Sequence, residues 1–166
     1  IWSWKKKWRD TVNLWQEAVT DRTQTDVDKA VLYNQTGWNS LTDEQKAEWL
    51  AGMKGSLNES DLLRIENNIQ LLSDVLELSL DTYADGIPKL VNESYFANLL
   101  SNVQAIRDAG AYHPDTPAVP EKPVNDYQKV NNIEKILDDI YQILLNNFHY
   151  YAGSEIYAGD EFGFLL

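Results

Sequence analysis

Apolar residues recur at helical spacing along most of this chain. From Asn58 onward Leu62, Ile65, Ile69, Leu72, Val75 or Leu76 and Leu80 follow one another at intervals of three or four, the period that places side chains on one face of a helix. The pattern predicts a long helix from Asn58 to about Asp81, before the Gly86-Ile87-Pro88 turn. A second stripe, Tyr127, Val130, Ile133, Ile136, Leu137, Ile140, Leu144 and Phe148, predicts a helix over about Asn125 to Phe148. Between them a further helix is expected from about Asn92 to Asp108. Neither long stripe can bury its face alone, and most helix stability in proteins comes from such packing. Ile65, Ile69 and Leu72 are therefore expected to pack against Ile133, Leu137 and Ile140 as the main core pair, with Glu66 and Lys135 on the solvent side.

Start and stop signals add two shorter helices. Helical signals dominate from Thr23: Thr25 precedes the acidic turn Asp26-Val27-Asp28, which suits the positive end of a helix dipole, and Val27, Ala30, Val31 and Tyr33-Asn34 carry the pattern to Gly37, a suitable stop. Thr42-Asp43-Glu44-Gln45 has the form of a capping box, with Gln three residues after Thr. Trp38, Trp49, Leu50 and Met53 are expected on the apolar side of that element, which Gly52 and Gly55 close. The expected fold is all-α, with about five helices and an extended or hairpin-like C-terminal segment.

The segment Leu57-Asn58-Glu59-Ser60-Asp61-Leu62 reappears 34 positions later as Val91-Asn92-Glu93-Ser94-Tyr95-Phe96, and Asn68 then matches Asn102. A period near 34 is that of helical-hairpin solenoids, but the intervening segments differ and the consensus positions of such repeats are missing. Capping explains the similarity better. Asn58 and Asn92 each precede an acid and then an apolar run, so each is expected to be an N-cap that accepts from a free backbone N–H.

Two stretches break the helical pattern. His113 to Pro123 contains Pro114, Pro117, Pro120 and Pro123, which favour extended geometry without ladder donors. Near the end, Tyr151-Ala152-Gly153-Ser154-Glu155-Ile156 is followed by Tyr157-Ala158-Gly159-Asp160-Glu161-Phe162, a six-residue duplication whose glycines disfavour a helix. The chain thus divides into a Trp-rich lead segment, 1–22, a helical domain, 23–148, and a Tyr- and Gly-rich extended tail, 149–166.

Charge and composition narrow the function. The net charge is −12. Lys5, Lys6, Lys7 and Arg9 put +4 into the first nine residues, which leaves −16 on the rest. That acidic body is expected to repel nucleic acid and anionic membrane, so neither is an expected partner. The basic start could attract either, or the acidic body of a neighbouring subunit. The absence of cysteine removes disulfides, thiolate nucleophiles and Cys-based zinc sites. No run approaches the roughly 20 apolar residues of a membrane span. The charge-interrupted start does not read as a signal peptide, and an opening on Ile1 in place of Met reads as a fragment or processed product.

Candidate chemistry is sparse. His113 and His149 have no His or carboxylate at the i+3 or i+4 spacing of a helical metal site. Asp138 and Asp139 point about 100° apart on a helix, a poor acid–base pair. No phosphate-binding Gly-rich loop, G-x-S-x-G or H-E-x-x-H occurs. The expectation is a non-catalytic protein without cofactor or metal. Trp2, Trp4 and Trp8 at one end and Tyr151, Tyr157 and Phe162 at the other are the candidate interaction residues, because large aromatic rings dominate interfaces. Arg64, with Asp61 three residues before it and Glu66 close by, is the candidate organiser of helix packing through ion pairing, as Asn58 and Asn92 are of helix starts.

Two stretches carry a resemblance. The first holds Val19-Thr20-Asp21-Arg22-Thr23-Gln24-Thr25-Asp26-Val27-Asp28, then Gly37-Trp38-Asn39-Ser40-Leu41-Thr42, then Trp49-Leu50-Ala51-Gly52-Met53-Lys54-Gly55-Ser56-Leu57-Asn58; the second is Asp61-Leu62-Leu63-Arg64-Ile65-Glu66-Asn67-Asn68-Ile69. Over about Val19 to Leu80 the ordered set resembles a module of tail, baseplate and fibre proteins from phages and prophages of Gram-positive bacteria. That resemblance implies a virion structural role, with other tail or baseplate proteins and self-association as partners, and no catalytic residue set. The equivalent part of a phage-derived contractile particle fits equally. From another class, a carbohydrate-binding or cell-wall-hydrolysing module could use the aromatic termini; a glycosidase would show paired carboxylates about 5–9.5 Å apart in a cleft.

Overall fold

The computed structural model describes residue 10 and residues 12–153, with 12 and 148–153 described for their backbone only. Among the described residues the fold is all-α. Its five helices are α1 (Gln24–Thr36), α2 (Asp43–Ala51), α3 (Glu59–Val75), α4 (Glu93–Ala109) and α5 (Tyr127–Gly153), with short 3-10 turns at Val12–Leu14 and Trp38–Ser40.

Thr42 caps α2 as expected, in a capping box with Gln45, and Asn92 Oδ1 accepts from Tyr95 N–H at 3.0 Å. Helix α1 starts two residues before the expected Thr25: Thr23 forms the capping box, with Asp26, because Asp26 reaches back to the Thr23 N–H. Asn58 occupies the N-cap of α3, but not in the expected way. Its side-chain amide donates back to the carbonyls of Met53 (3.1 Å) and Ser56 (3.0 Å). Asp61 Oδ2 accepts from Asn58 N–H at 3.0 Å and closes the helix end. The start of α5 is held by Asp126 Oδ1, which accepts from Lys129 N–H at 2.8 Å.

Helix ends depart further. Gly37 and Gly52 stop α1 and α2 at positive φ. Helix α3 ends at Val75, before the expected Asp81: Glu77 takes φ 57° and Leu78 N–H reaches back to Ser73 O at 2.8 Å. A helix stop made by Glu leaves no glycine to read, and the apolar spacing continues past it because Leu78 and Leu80 pack on the core from the loop. Helix α5 runs on to Gly153. The tail expected to be extended from residue 149 is therefore helical to 153, and the remainder of the duplication lies outside the described residues.

Helices α3, α4 and α5 form a three-helix bundle. Ile65, Ile69 and Leu72, with Ile133, Leu137 and Ile140, are buried as expected, together with Leu99, Val103 and Ile106 of α4. The core is thus shared by three helices, and α4 joins the expected pair as an equal member. Helices α1 and α2 build a small second core of Ala30, Tyr33, Leu41 and Met53. Leu50, expected on its apolar side, is largely exposed, and Trp38 and Trp49 are only partly covered; a nine-residue helix has too little partner surface to bury them. At Gly55 the α2–α3 loop presses on the first turn of α1: a Cβ there would lie 1.9 Å from Asp26 O.

Candidate functional site

Residues 15–23 run without helix across the bundle as a strap. Trp15 stacks flat on Tyr141 of α5, with centroids 4.1 Å apart. Asn68 of α3 pairs with the Gln16 backbone in both directions: Oδ1 accepts from N–H at 3.0 Å and Nδ2 donates to O at 2.8 Å. Asn131 of α5 does the same for Arg22, at 3.3 and 3.0 Å. Each amide thus replaces a missing peptide partner, as buried backbone groups require.

Between those two anchors lies a buried tetrad of charges. Glu134 Oε1 accepts from Arg22 Nη2 (2.8 Å) and Arg64 Nη2 (2.7 Å). Its Oε2 accepts from Arg64 Nε (3.0 Å) and from Val19 N–H (2.8 Å). Asp61 Oδ1 accepts from Arg22 (3.2 Å) and Arg64 (2.8 Å), and Oδ2 takes the N–H and side-chain amide of Asn58. Arg22 also donates to Val19 O at 2.6 Å. Both carboxylates therefore accept four hydrogen bonds, the full capacity of an ionised carboxyl, and two cations balance two anions. A buried ionic network of this kind stands only because every member is satisfied.

Burial pushes Asp61 up, but the Asn58 N–H and the Arg64 guanidinium outweigh it and hold its carboxyl below the usual range. Burial likewise works against the Arg64 charge, and Glu134 and Asp61 more than restore it.

The structure brings together Arg64 and Asp61 as expected but gives Arg64 a different second partner. Glu66 points away from it, is fully buried and accepts from Tyr83 N–H at 3.0 Å. Its expected place on the solvent side is wrong, because it sits on the apolar stripe, four residues after Leu62 and three before Ile69. Sequence reasoning missed Arg22, Asn131 and Glu134. Glu134 carries the same signal as Glu66, an acid between Val130 and Leu137 on a stripe. Lys135 is half-exposed and pairs with Asp139 at 2.9 Å. Trp2, Trp4, Trp8, Tyr157 and Phe162 lie outside the described residues; Tyr151 falls in the last turn of α5, and its side chain is not described.

A second feature lies on α1 and α2. Tyr33, Asn34, Gly37, Trp38, Leu41 and Trp49 line an open, mainly apolar hollow of about 310 Å³, and Val31, Leu32 and Leu50 of the same two helices are exposed. Lys46 Nζ lies 5.8 Å from the Trp38 ring centroid. Among the described residues no group of three or more His, Asp or Glu is placed to hold a metal ion, and no helix is long and apolar enough to cross a membrane. Comparison with protein-family models, curated proteins and solved structures gives no match.

Proposed function

We propose that this chain is a non-catalytic structural module of a phage tail or baseplate, a rigid spacer that joins neighbouring virion proteins and is assembled into particles in the bacterial cytoplasm. The observation that supports this reading is the convergence of the two stretches that carry the resemblance. Arg22 of the Val19–Asp28 stretch meets Asp61 and Arg64 of the Asp61–Ile69 stretch in one buried tetrad, and Val19 and Thr23 serve as strap anchor and helix cap. These residues lock a strap onto a bundle, which is what a load-transmitting spacer needs. The partners are other tail or baseplate proteins and further copies of the chain, engaged through the aromatic termini. Deleting the gene in a lysogen tests this: electron micrographs of induced particles should show tails that are absent, truncated or stripped at one end. Particles of normal shape and infectivity would overturn it.

A second reading, a carbohydrate-binding module, draws on Trp38 and Trp49, which line an open hollow together with Asn34. Aromatic rings beside a polar side chain suit a sugar ring. Retention on purified cell-wall polysaccharide, lost in Trp38→Ala, would favour it over the spacer.

A further inference from the structure

The loop between α3 and α4 is fastened almost entirely by side chains of those two helices. From α3, Glu66 Oε2 accepts from Tyr83 N–H at 3.0 Å, Gln70 Oε1 accepts from Thr82 Oγ1 at 2.5 Å, and Ser73 Oγ donates to Leu78 O at 3.0 Å. From α4, Asn98 and Asn102 both donate to Asp81 O, at 2.9 and 2.7 Å. Leu78, Leu80, Tyr83 and Ile87 of the loop lie against the bundle core, and the Tyr83 ring is 5.4 Å from that of Tyr95 on α4.

Of these fastenings Glu66 alone uses an ionisable side chain, and it is the poorly matched one. It is fully buried, with a single backbone N–H to one oxygen. Its other oxygen, Oε1, and the buried Tyr95 hydroxyl have no hydrogen-bond partner among the described residues; the Tyr83 N–H and Tyr95 favour the charged carboxyl, and burial outweighs them. The contrast with Glu134 is direct: that carboxylate receives four donors, two of them guanidinium groups. Among the described residues the groups that bear on Glu66 are Tyr95 from α4 and Tyr83 and Asp81 from the loop, with no cation. An ionised carboxyl here is a buried charge with neither counter-ion nor full hydrogen bonding, a costly state. A protonated one is neutral, keeps Oε2 for Tyr83 and gains a proton to offer the Tyr95 oxygen.

We propose that the loop over residues 77–90 is a proton-gated clasp, closed over α3 and α4 while Glu66 is protonated and released as Glu66 gives its proton to bulk water. Release exposes the apolar strip under Leu78, Leu80, Tyr83 and Ile87, so the device switches an apolar surface of the bundle between covered and available. Burial pushes the Glu66 carboxyl above its ordinary range, which sets the direction: the clasp is tightest on the acid side and loosens as pH rises through that raised value. This inference does not depend on the proposed virion role.

Amide hydrogen exchange read residue by residue from pH 5 to 8, with intrinsic exchange rates divided out, tests it on the full chain. The opening constant at Tyr83 should rise several-fold across that range in the wild type. It should stay flat in Glu66→Gln, which keeps the acceptor for Tyr83 N–H and cannot ionise. The amides of Ile69 and Val103 in the bundle should show no such trend. A flat wild-type profile, an equal rise in the Gln variant, or an equal rise at Ile69 and Val103 would each overturn the clasp. If Glu66→Gln fails to fold, a carboxyl-carbon titration of wild-type Glu66 decides it: its midpoint must coincide with the midpoint of loop opening, and a mismatch rejects the proposal.

Discussion

Replacing Arg22 by Met tests the tetrad while keeping the two main-chain bonds of Arg22 to Asn131; the guanidinium's bonds to Val19 O and Asn131 Oδ1 go with the charge. The Met side chain retains much of the aliphatic stem's packing. What goes is a guanidinium with a side chain only 4% exposed, shared between Asp61 and a Glu134 that is 1% exposed. The remaining site holds two carboxylates against one Arg64, a net buried charge of −1. Breaking a buried pair from one side costs about 3–5 kcal/mol, several times the roughly 0–1 kcal/mol of an exposed pair. For a chain of this size each kcal/mol moves Tm by about 2–4 °C, so Tm should fall by roughly 6–20 °C. Urea unfolding gives the free energy directly, and a cycle with Glu134→Leu gives the coupling. The double variant should lose clearly less than the sum of the singles, because Asp61 and Arg64 are left as a neutral pair. A loss under about 1 kcal/mol for Arg22→Met, or strict additivity, would show that the tetrad behaves as an ordinary surface network and would refute the reasoning.

Other outcomes follow from the same structure. Ile69→Ala should cost roughly 2–5 kcal/mol by denaturant unfolding, through lost transfer energy and a cavity, since Ile69 is fully buried among the three helices. Gly55→Ala should destabilise by about 1–3 kcal/mol, the usual cost of forcing atoms into packed space, because its Cβ would collide with the Asp26 backbone; a melting curve unchanged from wild type would contradict that close approach. Asp61 has a depressed carboxyl in the folded state, so its contribution is fully present above its ordinary value of 3.8 and is lost as pH falls through the folded value; Asp61→Asn should flatten the acid limb of a stability–pH curve. Lys122→Ala should change stability by less than about 0.5 kcal/mol, because its partner Glu93 is 84% exposed.

The parts of this fold that were legible from sequence are those written locally. A capping box needs only residues three apart, and Thr42 with Gln45 shows it. The α3 and α5 stripes are local periodicities, and their buried isoleucines are where the spacing puts them. What was not legible depends on partners far along the chain. Arg22 meets Asp61 and Glu134 across separations of 39 and 112 residues, and nothing near Arg22 announces either. Glu66 and Glu134 were readable in principle as acids on apolar stripes, but charge alone does not separate a solvated acid from a buried one; the partner does. The end of α3 was hidden because a Glu takes the left-handed position a glycine would mark. Trp38 and Trp49 were placed inward on hydrophobicity, whereas exposure was decided by how little surface α1 and α2 offer.

The virion role is tested most directly by locating the chain in purified particles. Tailed particles induced from the source strain should be banded by density, and the protein followed by quantitative mass spectrometry and by gold-labelled antibody under the electron microscope. The account predicts co-banding with tail proteins in fixed proportion and gold at one defined position on the tail. A protein that remains in the soluble lysate while intact particles band without it would contradict the account.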